Sequence, residues 1–328
     1  MSARFAPARL SLPQFAGSSY WVRRHARSLL AWTLFALLFA LSTTLSDTFR
    51  SPDVVVETFK GTTFVGMTAA AEFFVVVGGG IDLSIGSVAT LSGMVAAAIM
   101  SGRNANILVA IMASLGIGLI VGTINGLLVN WFRISPFVAT FGMLYILQGV
   151  AYTYSVNPIG QAAPGFYAIY VSTVAGVPVL LLTMGIFWVV CWYVARQTAF
   201  GKHLYALGGD REAARLAGVR TSRVSFGSYV LCAVIAAAAG LLELTQSYVG
   251  SPNLGSTLLL TTITAVVIGG VSLFGGQGSV IGVLGGTLVL GFLGEFFVSV
   301  QVDAFYQELI EGLIILALLG IYRQRLKT

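Results

Sequence analysis

Charge is scarce in this chain. Only 9% of its 328 residues are Asp, Glu, Lys or Arg, whereas 57% are hydrophobic. A soluble domain carries about 25% charged residues, so the shortage excludes an ordinary water-soluble globule and indicates an integral membrane protein. Cysteine is confined to Cys191 and Cys232, each within an apolar run. Two small hydrophobes in packed helices are expected there, rather than a disulfide or a metal site. The two histidines, His25 and His203, stand isolated beside basic residues. Lysine is missing between Lys60 and Lys202, and again between Lys202 and Lys327. That gap removes the G-x-x-x-x-G-K-[ST] loop whose lysine reaches nucleotide phosphates. Metal-ligand spacing, a nucleophile elbow and a His-paired cysteine are lacking too. The expectation is a chain that holds no metal, binds no cofactor and is not an enzyme. No β-strand is expected, and no motif that reads nucleic acid.

What the chain has is apolar length. Mean hydropathy is +0.90, and the hydrophobic segments reach the roughly 18–20 residues that a helix needs to cross a bilayer. Thirty-nine glycines fit the same picture, because small residues let membrane helices approach closely. Ten spans are expected, near 29–45, 54–78, 84–101, 106–131, 135–156, 174–195, 224–247, 257–275, 279–299 and 305–322. The fold class is therefore an all-α integral membrane protein of about ten transmembrane helices with Gly-rich breaks. The stretch 23–40 resembles a signal peptide, but its apolar run continues to about residue 45. An uncleaved first helix is expected.

Positive charge sets the orientation. Arg4, Arg9, Arg23, Arg24 and Arg27 precede the first span. Arg196, Lys202, Arg211, Arg215, Arg220 and Arg223 fill a central polar island, and Arg323, Arg325 and Lys327 close the chain. The positive-inside rule places these regions in the cytoplasm, with both termini inside. Ten spans also put Arg133 inside, leaving Arg50, Lys60 and Arg103 elsewhere.

Two glycine-dense joints interrupt the helices, Gly78–Ser87 and Ile268–Ser279. Backbone groups freed at such breaks are tolerated at membrane depth only when buried in protein or lining a cavity. Gly79, Gly80, Gly269, Gly270, Gly275 and Gly276 are accordingly candidates for a transport pathway or a helix break. The alternative is a tight turn at the membrane surface. Glu72, Asp82, Glu243, Glu295 and Glu311 lie in or beside apolar runs, where a charge costs about 2.5–3.5 kcal/mol on insertion scales. Each should face the bundle or water. Asp82 is tied to a glycine turn and Asp readily bonds nearby backbone N–H groups, so a structural role leads for it. Glu72, Asp82, Ser84, Asn125 and Glu295 join the pathway candidates. A sugar site would also use amides, which Asn125, Asn130, Gln148, Asn157, Gln161, Gln246 and Asn253 supply.

Six blocks, in order over about 250 residues, carry a family resemblance. They are GGGIDLSIGSV (Gly78–Val88), GxxxGxxNGLLV (Gly118–Val129), RISPFVATFGM (Arg133–Met143), EAARLAGV (Glu212–Val219), VVIGGVSLFGGQGSVIG (Val266–Gly282) and FYQELIEGLIILAL (Phe305–Leu318). Together they resemble the ribose-type (monosaccharide) permeases of ABC importers, within the branched-chain/sugar permease superfamily. The resemblance implies one permease domain over 1–328, with a cytoplasmic segment 1–28 and a cytoplasmic coupling loop 196–223. It implies import of a monosaccharide or related small polar solute (pentose, hexose, polyol or furanosyl signal) across a bacterial-type inner membrane. It also implies three partners: ATPase subunits that use ATP and Mg, an extracytoplasmic binding protein, and a second permease protomer, identical or related. The chain departs from the family pattern at Glu72-Phe73 and Gly294-Glu295-Phe296, and its loop lacks a distal hydrophobic-Leu-Pro element.

Within the loop, a coupling helix is expected over Asp210–Ala217. Asp210 is its N-cap, Glu212 complements the dipole, and Gly218 suits the end. Ala213, Ala214 and Ala217 leave a low-profile face for a groove on the ATPase. Arg211 and Arg215 share another face and are expected to pair with acidic groups there. An ion-coupled secondary transporter, or a permease for branched-chain amino acids, is the alternative reading.

Overall fold

Proline and small polar residues punctuate this chain at helix starts. The structure is a computed structural model that describes residues 16–255, 258–303, 305–306, 309–310 and 312–313, with side chains from residue 28 onward. The first two long helices are α1 (Ala16–Leu45) and α2 (Pro52–Val77), followed by α3 (Ile85–Met100), α4 (Ile107–Asn130) and α5 (Pro136–Tyr154). A short α6 (Pro164–Val171) leads to the strand pair β1 (Thr173–Val174) and β2 (Val177–Pro178). Then come α7 (Val179–Gln197), α8 (Ala199–Gly209), α9 (Arg211–Leu216), α10 (Thr221–Ser247), α11 (Leu258–Ile268) and α12 (Val280–Ser299). Proline opens α2, α5 and α6, where its missing N–H is one the helix would leave unbonded anyway.

Seven of these helices, α1, α2, α4, α5, α7, α10 and α12, are long and apolar enough to cross a membrane. The apolar α3 and α11 are shorter, 16 and 11 residues. Nine expected spans therefore have a helical counterpart, and the tenth lies mostly outside the described residues, as does Glu311. Two boundaries need correction. The expected span 257–275 ran through a joint, whereas α11 stops at Ile268. The expected span 174–195 took in a hairpin. Strands do occur: Ala175 and Gly176, at φ 51° and 80°, form a turn whose twist suits two antiparallel strands. The helix begins only at Val179.

Burial sorts the helices. In α2, 83% of the most apolar window is buried and in α10 61%, against 11–28% for α1, α4, α5 and α7. Thus α2 and α10 are central and the other four present broad apolar faces outward. The α4–α10 seam shows how glycine permits the packing. A Cβ added at Gly118, Gly122 or Gly126 would come within 2.7 Å of Ala233, Val230 or Phe226. Substituting any of them forces apart helices whose contact depends on backbone proximity.

The elements alternate between two ends. At the basic end, Ser28 and Ser279 share a hydrogen bond of 2.7 Å between hydroxyls, joining the starts of the described α1 side chains and of α12. At the other end the Gly102 N–H donates to the Gln161 carbonyl at 3.0 Å, and Ile159 pairs with Gly250. Cys191 and Cys232 are free and buried in the packed helices.

Candidate coupling and translocation sites

The polar island folds into two short capped helices. The Thr198 hydroxyl accepts from the Gly201 N–H at 3.2 Å to start α8. One carboxylate oxygen of Asp210 accepts from the N–H groups of Glu212 and Ala213, both at 2.9 Å, to start α9. The helix covers Arg211–Leu216, within the expected Asp210–Ala217. It ends through Gly218, whose φ of 85° is strained for any residue with a Cβ. There the Gly218 N–H donates to Arg215 O and the Val219 N–H to Ala214 O, both at 3.0 Å.

The two arginines of α9 differ. Arg215 grips Glu212 with two donors, at 2.9 and 2.5 Å, a pairing within the helix that the sequence reading did not name. The spacing of three residues on one helix brings these side chains together. The guanidinium holds Glu212 below the usual carboxylate range. Ala214 is buried against the protein, whereas Arg211, Glu212, Ala213 and Arg215 are exposed.

Both glycine joints converge beneath this module. In each, the preceding helix ends by the same turn. The Gly79 and Gly80 N–H groups donate to Val76 O (2.9 Å) and Val75 O (3.0 Å); those of Gly270 and Val271 donate to Val267 O (2.9 Å) and Val266 O (3.2 Å). Gly79 and Gly270 have φ of 81° and 80°, as the motif demands of the residue past a helix end. The sequence VVxGG precedes both turns. The Gly276 N–H crosses from the second joint to Val77 O at 2.8 Å. The end of α8 seals the seam, because a Cβ on Gly208 would overlap Val77 O and stand 2.5 Å from Gly276 N. Gly275 also lies against Gly208 and Gly79, and Gly269 packs on α12 at Val283. Tyr205 of α8 donates to Gly278 O at 2.9 Å. The joints are thus helix-to-helix turns at the basic end, stitched to each other and to α8.

Behind the first joint lies a buried polar knot of Glu72, Asp82, Ser84 and Asn125, in which Asn125 Oδ1 alone of these four residues' side-chain oxygens has no hydrogen-bond partner among the described residues. The Asp82 N–H is shared between both Glu72 oxygens at 3.3 Å. Asp82 Oδ1 accepts from the Ser84 N–H (2.9 Å) and hydroxyl (2.6 Å), and the Asn125 amide reaches Ser84 Oγ at 3.0 Å and Asp82 Oδ2 at 3.4 Å. All four residues are at most 2% exposed. Glu72, Asp82, Ser84 and Asn125 therefore meet one another inside the chain, buried rather than facing the cleft that Glu295 borders. Tyr229, 1% exposed, presses its hydroxyl against Gly80.

Glu295 sits far from that knot. It borders a cleft of about 510 Å³ at the opposite end of α2, with Asp53, Glu57, Tyr170, Gln246 and Thr261. There Lys60 donates to Glu57 Oε1 at 2.7 Å and lies 4.5 Å from the centre of the Tyr170 ring. Tyr170 donates to Glu57 Oε2 at 2.6 Å. Burial, and then that carboxylate, raise the Tyr170 phenol above its ordinary range, so it remains a donor at neutral pH. Of the seven amides named from sequence, Gln246 alone lines this cleft. Gly208 and Tyr170 escaped sequence reasoning. Gly208-Gly209 offered a signal, a further glycine doublet beside the cap, but Tyr170 offered none.

The family model described as branched-chain amino acid transport system / permease component matches residues 55–319. The chain is 34% identical over 285 residues to the ribose import permease protein RbsC of Escherichia coli (strain K12), covering 85% of this chain and 88% of that protein. It is 33% identical over 287 residues to RbsC of Bacillus subtilis (strain 168), covering 86% and 88%. With the fructose import permease protein FrcC of Rhizobium meliloti, identity is 32% over 299 residues, covering 87% and 81%. No solved structure matches.

Proposed function

The chain belongs to the branched-chain amino acid transport system / permease component family, and on that premise we propose that it imports a monosaccharide or related small polar solute. It is a multi-pass membrane permease of helical fold. In this reading it forms the membrane-spanning subunit of an ABC importer over 1–328, with segment 1–28, loop 196–223 and both termini on the cytoplasmic face of a bacterial-type inner membrane. ATP and Mg act on a separate ATPase subunit. An extracytoplasmic binding protein delivers the solute, and a second permease protomer completes the channel.

The observation that carries the reading is the placement of α9. Its exposed face stands on a module whose other side is bonded to the second glycine joint through Tyr205 and packed against the first through Gly208, at the basic end of the protein. A partner that moves α9 moves the ends of α2 and α11 with it. Asp210, Arg211, Glu212, Ala213, Ala214, Arg215 and Gly218 make up the coupling segment. The relatives are import permeases for ribose and fructose by name, which favours a sugar over a branched-chain amino acid.

Proteoliposomes holding the permease and its co-purified ATPase, with the binding protein supplied on the outside, test this reading. Uptake of labelled ribose or fructose that requires internal-facing ATP supports it. Leucine uptake in place of sugar points to the amino-acid alternative, and uptake abolished by an ionophore without ATP points to a secondary transporter.

A further inference from the structure

Two clefts of similar size flank α2 near its amino-terminal end, and their walls differ. One, about 560 Å³, is walled mainly by Phe59, Leu181, Met184, Trp188 and Leu284. Such a surface suits acyl chains. The other, about 510 Å³, mixes Tyr170, Val65 and Leu290 with the polar groups of Gln246, Glu57 and Glu295. That volume lies within the range of small-molecule sites, and apolar walls bearing a few polar groups are their usual lining.

The charges of the polar cleft are unequal. Asp53, Glu57 and Glu295 line it, and among the described residues no lysine or arginine does. The neighbouring ammonium, Lys60, is 8% exposed and already occupied by Glu57 and by the face of Tyr170. Its charge cancels that of Glu57. Asp53 and Glu295 have no cationic partner among the described residues. Carboxylates accept strongly from hydroxyl donors, so a polyol gains bonds here. A carboxylated or phosphorylated sugar meets like charge and finds no cation.

We propose that this cleft contacts the solute on the face opposite α9 and selects uncharged polyhydroxyl solutes over anionic sugars by its carboxylate excess. The inference rests on the import reading above and adds a discrimination the permease itself imposes, beyond that of any binding protein.

The test measures the cleft's field directly. In the complete importer, Gln246→Cys is placed on the wall, and the wild type, with both native cysteines buried, serves as background. Its reaction rates with a trimethylammonium-bearing and a sulfonate-bearing methanethiosulfonate are each normalised to a free thiol. The cationic reagent should win by roughly tenfold, and excess ribose should slow both. The preference should collapse toward unity when Asp53→Asn and Glu295→Gln are added. Equal rates, an anionic preference, or a preference that survives neutralisation would overturn the proposal. Should Gln246→Cys fail to insert, Glu295→Cys at the same wall repeats the measurement with Asp53→Asn alone. Ribose uptake is measured in parallel on the wild type. Uptake without cationic preference removes the cleft's selectivity and leaves import standing. Cationic preference without uptake of ribose, or of fructose measured the same way, removes the import reading and leaves the field.

Discussion

The backbone N–H of Gly276 donates to the carbonyl oxygen of Val77 at 2.8 Å, tying the turn after α11 to the last residue of α2. Gly208 covers that bond so closely that no side chain fits beside it. Gly208→Val should therefore disrupt the seam, at a cost of about 1–3 kcal/mol for an overpacked contact. The expected outcome is a lower melting point of the purified permease and loss of solute uptake. Gly209→Ala, one position along in open space, should leave melting close to wild type. Equal effects of the two would show that the close approach does not matter.

Asp210 caps α9 through two N–H groups. Asp210→Ala should destabilise that helix by about 1 kcal/mol, and Asp210→Asn, which retains a side-chain oxygen, should recover most of it. The measurement is ATPase stimulation by the reconstituted permease. Alanine should lower it several-fold and asparagine should restore it. If alanine and asparagine behave alike, the cap has no part in coupling.

Gly218 tests the other end of the same helix. Its surroundings are open, so an added side chain meets nothing within the permease, but its φ is left-handed. Gly218→Ala should cost about 1–2 kcal/mol locally. Gly218→Trp should also place bulk on the exposed face, abolishing uptake and ATPase co-purification while membrane insertion is retained. Normal uptake by the tryptophan variant would remove the coupling role.

Much of this module was readable in the residues themselves. Asp210 before Glu212 and Gly218 after Leu216 mark both helix ends through local backbone bonding, which sequence encodes directly. The apolar runs likewise located the long helices, because a bilayer imposes their length. The Glu72–Asp82–Ser84–Asn125 knot was another matter. Glu72 and Asp82 were named from the cost of a charge in an apolar setting, with a structural role leading for Asp82, while Ser84 and Asn125 joined them as polar neighbours. That cost is met whether a polar group faces a channel or a neighbouring polar group, so the sequence does not separate the two. The join of the two glycine joints was hidden for a related reason. Each turn is local, but their meeting depends on how α2, α8 and α11 pack. The hairpin at 173–178 was missed because Val174 and Val177 extend an apolar run.

Glu72 accepts the Asp82 N–H in a fully packed setting. Glu72→Ala leaves that donor unpaired, a loss of about 1–3 kcal/mol, whereas Glu72→Gln keeps an acceptor oxygen. Thermal unfolding in detergent should rank wild type and glutamine together, with alanine clearly lower. Glutamine as damaging as alanine would instead assign the effect to the carboxylate itself.

The helix α2 runs unbroken from the polar cleft at Glu57 to the joint at Val77, about 30 Å at the rise of an α-helix. Held at the joint end, it is a lever with its fulcrum among the glycines. A tilt of only about 10° about Val77 carries Glu57 sideways by about 5 Å. In the import reading proposed above, a small stroke delivered at α9 would become a displacement the breadth of a sugar ring at the cleft end of α2.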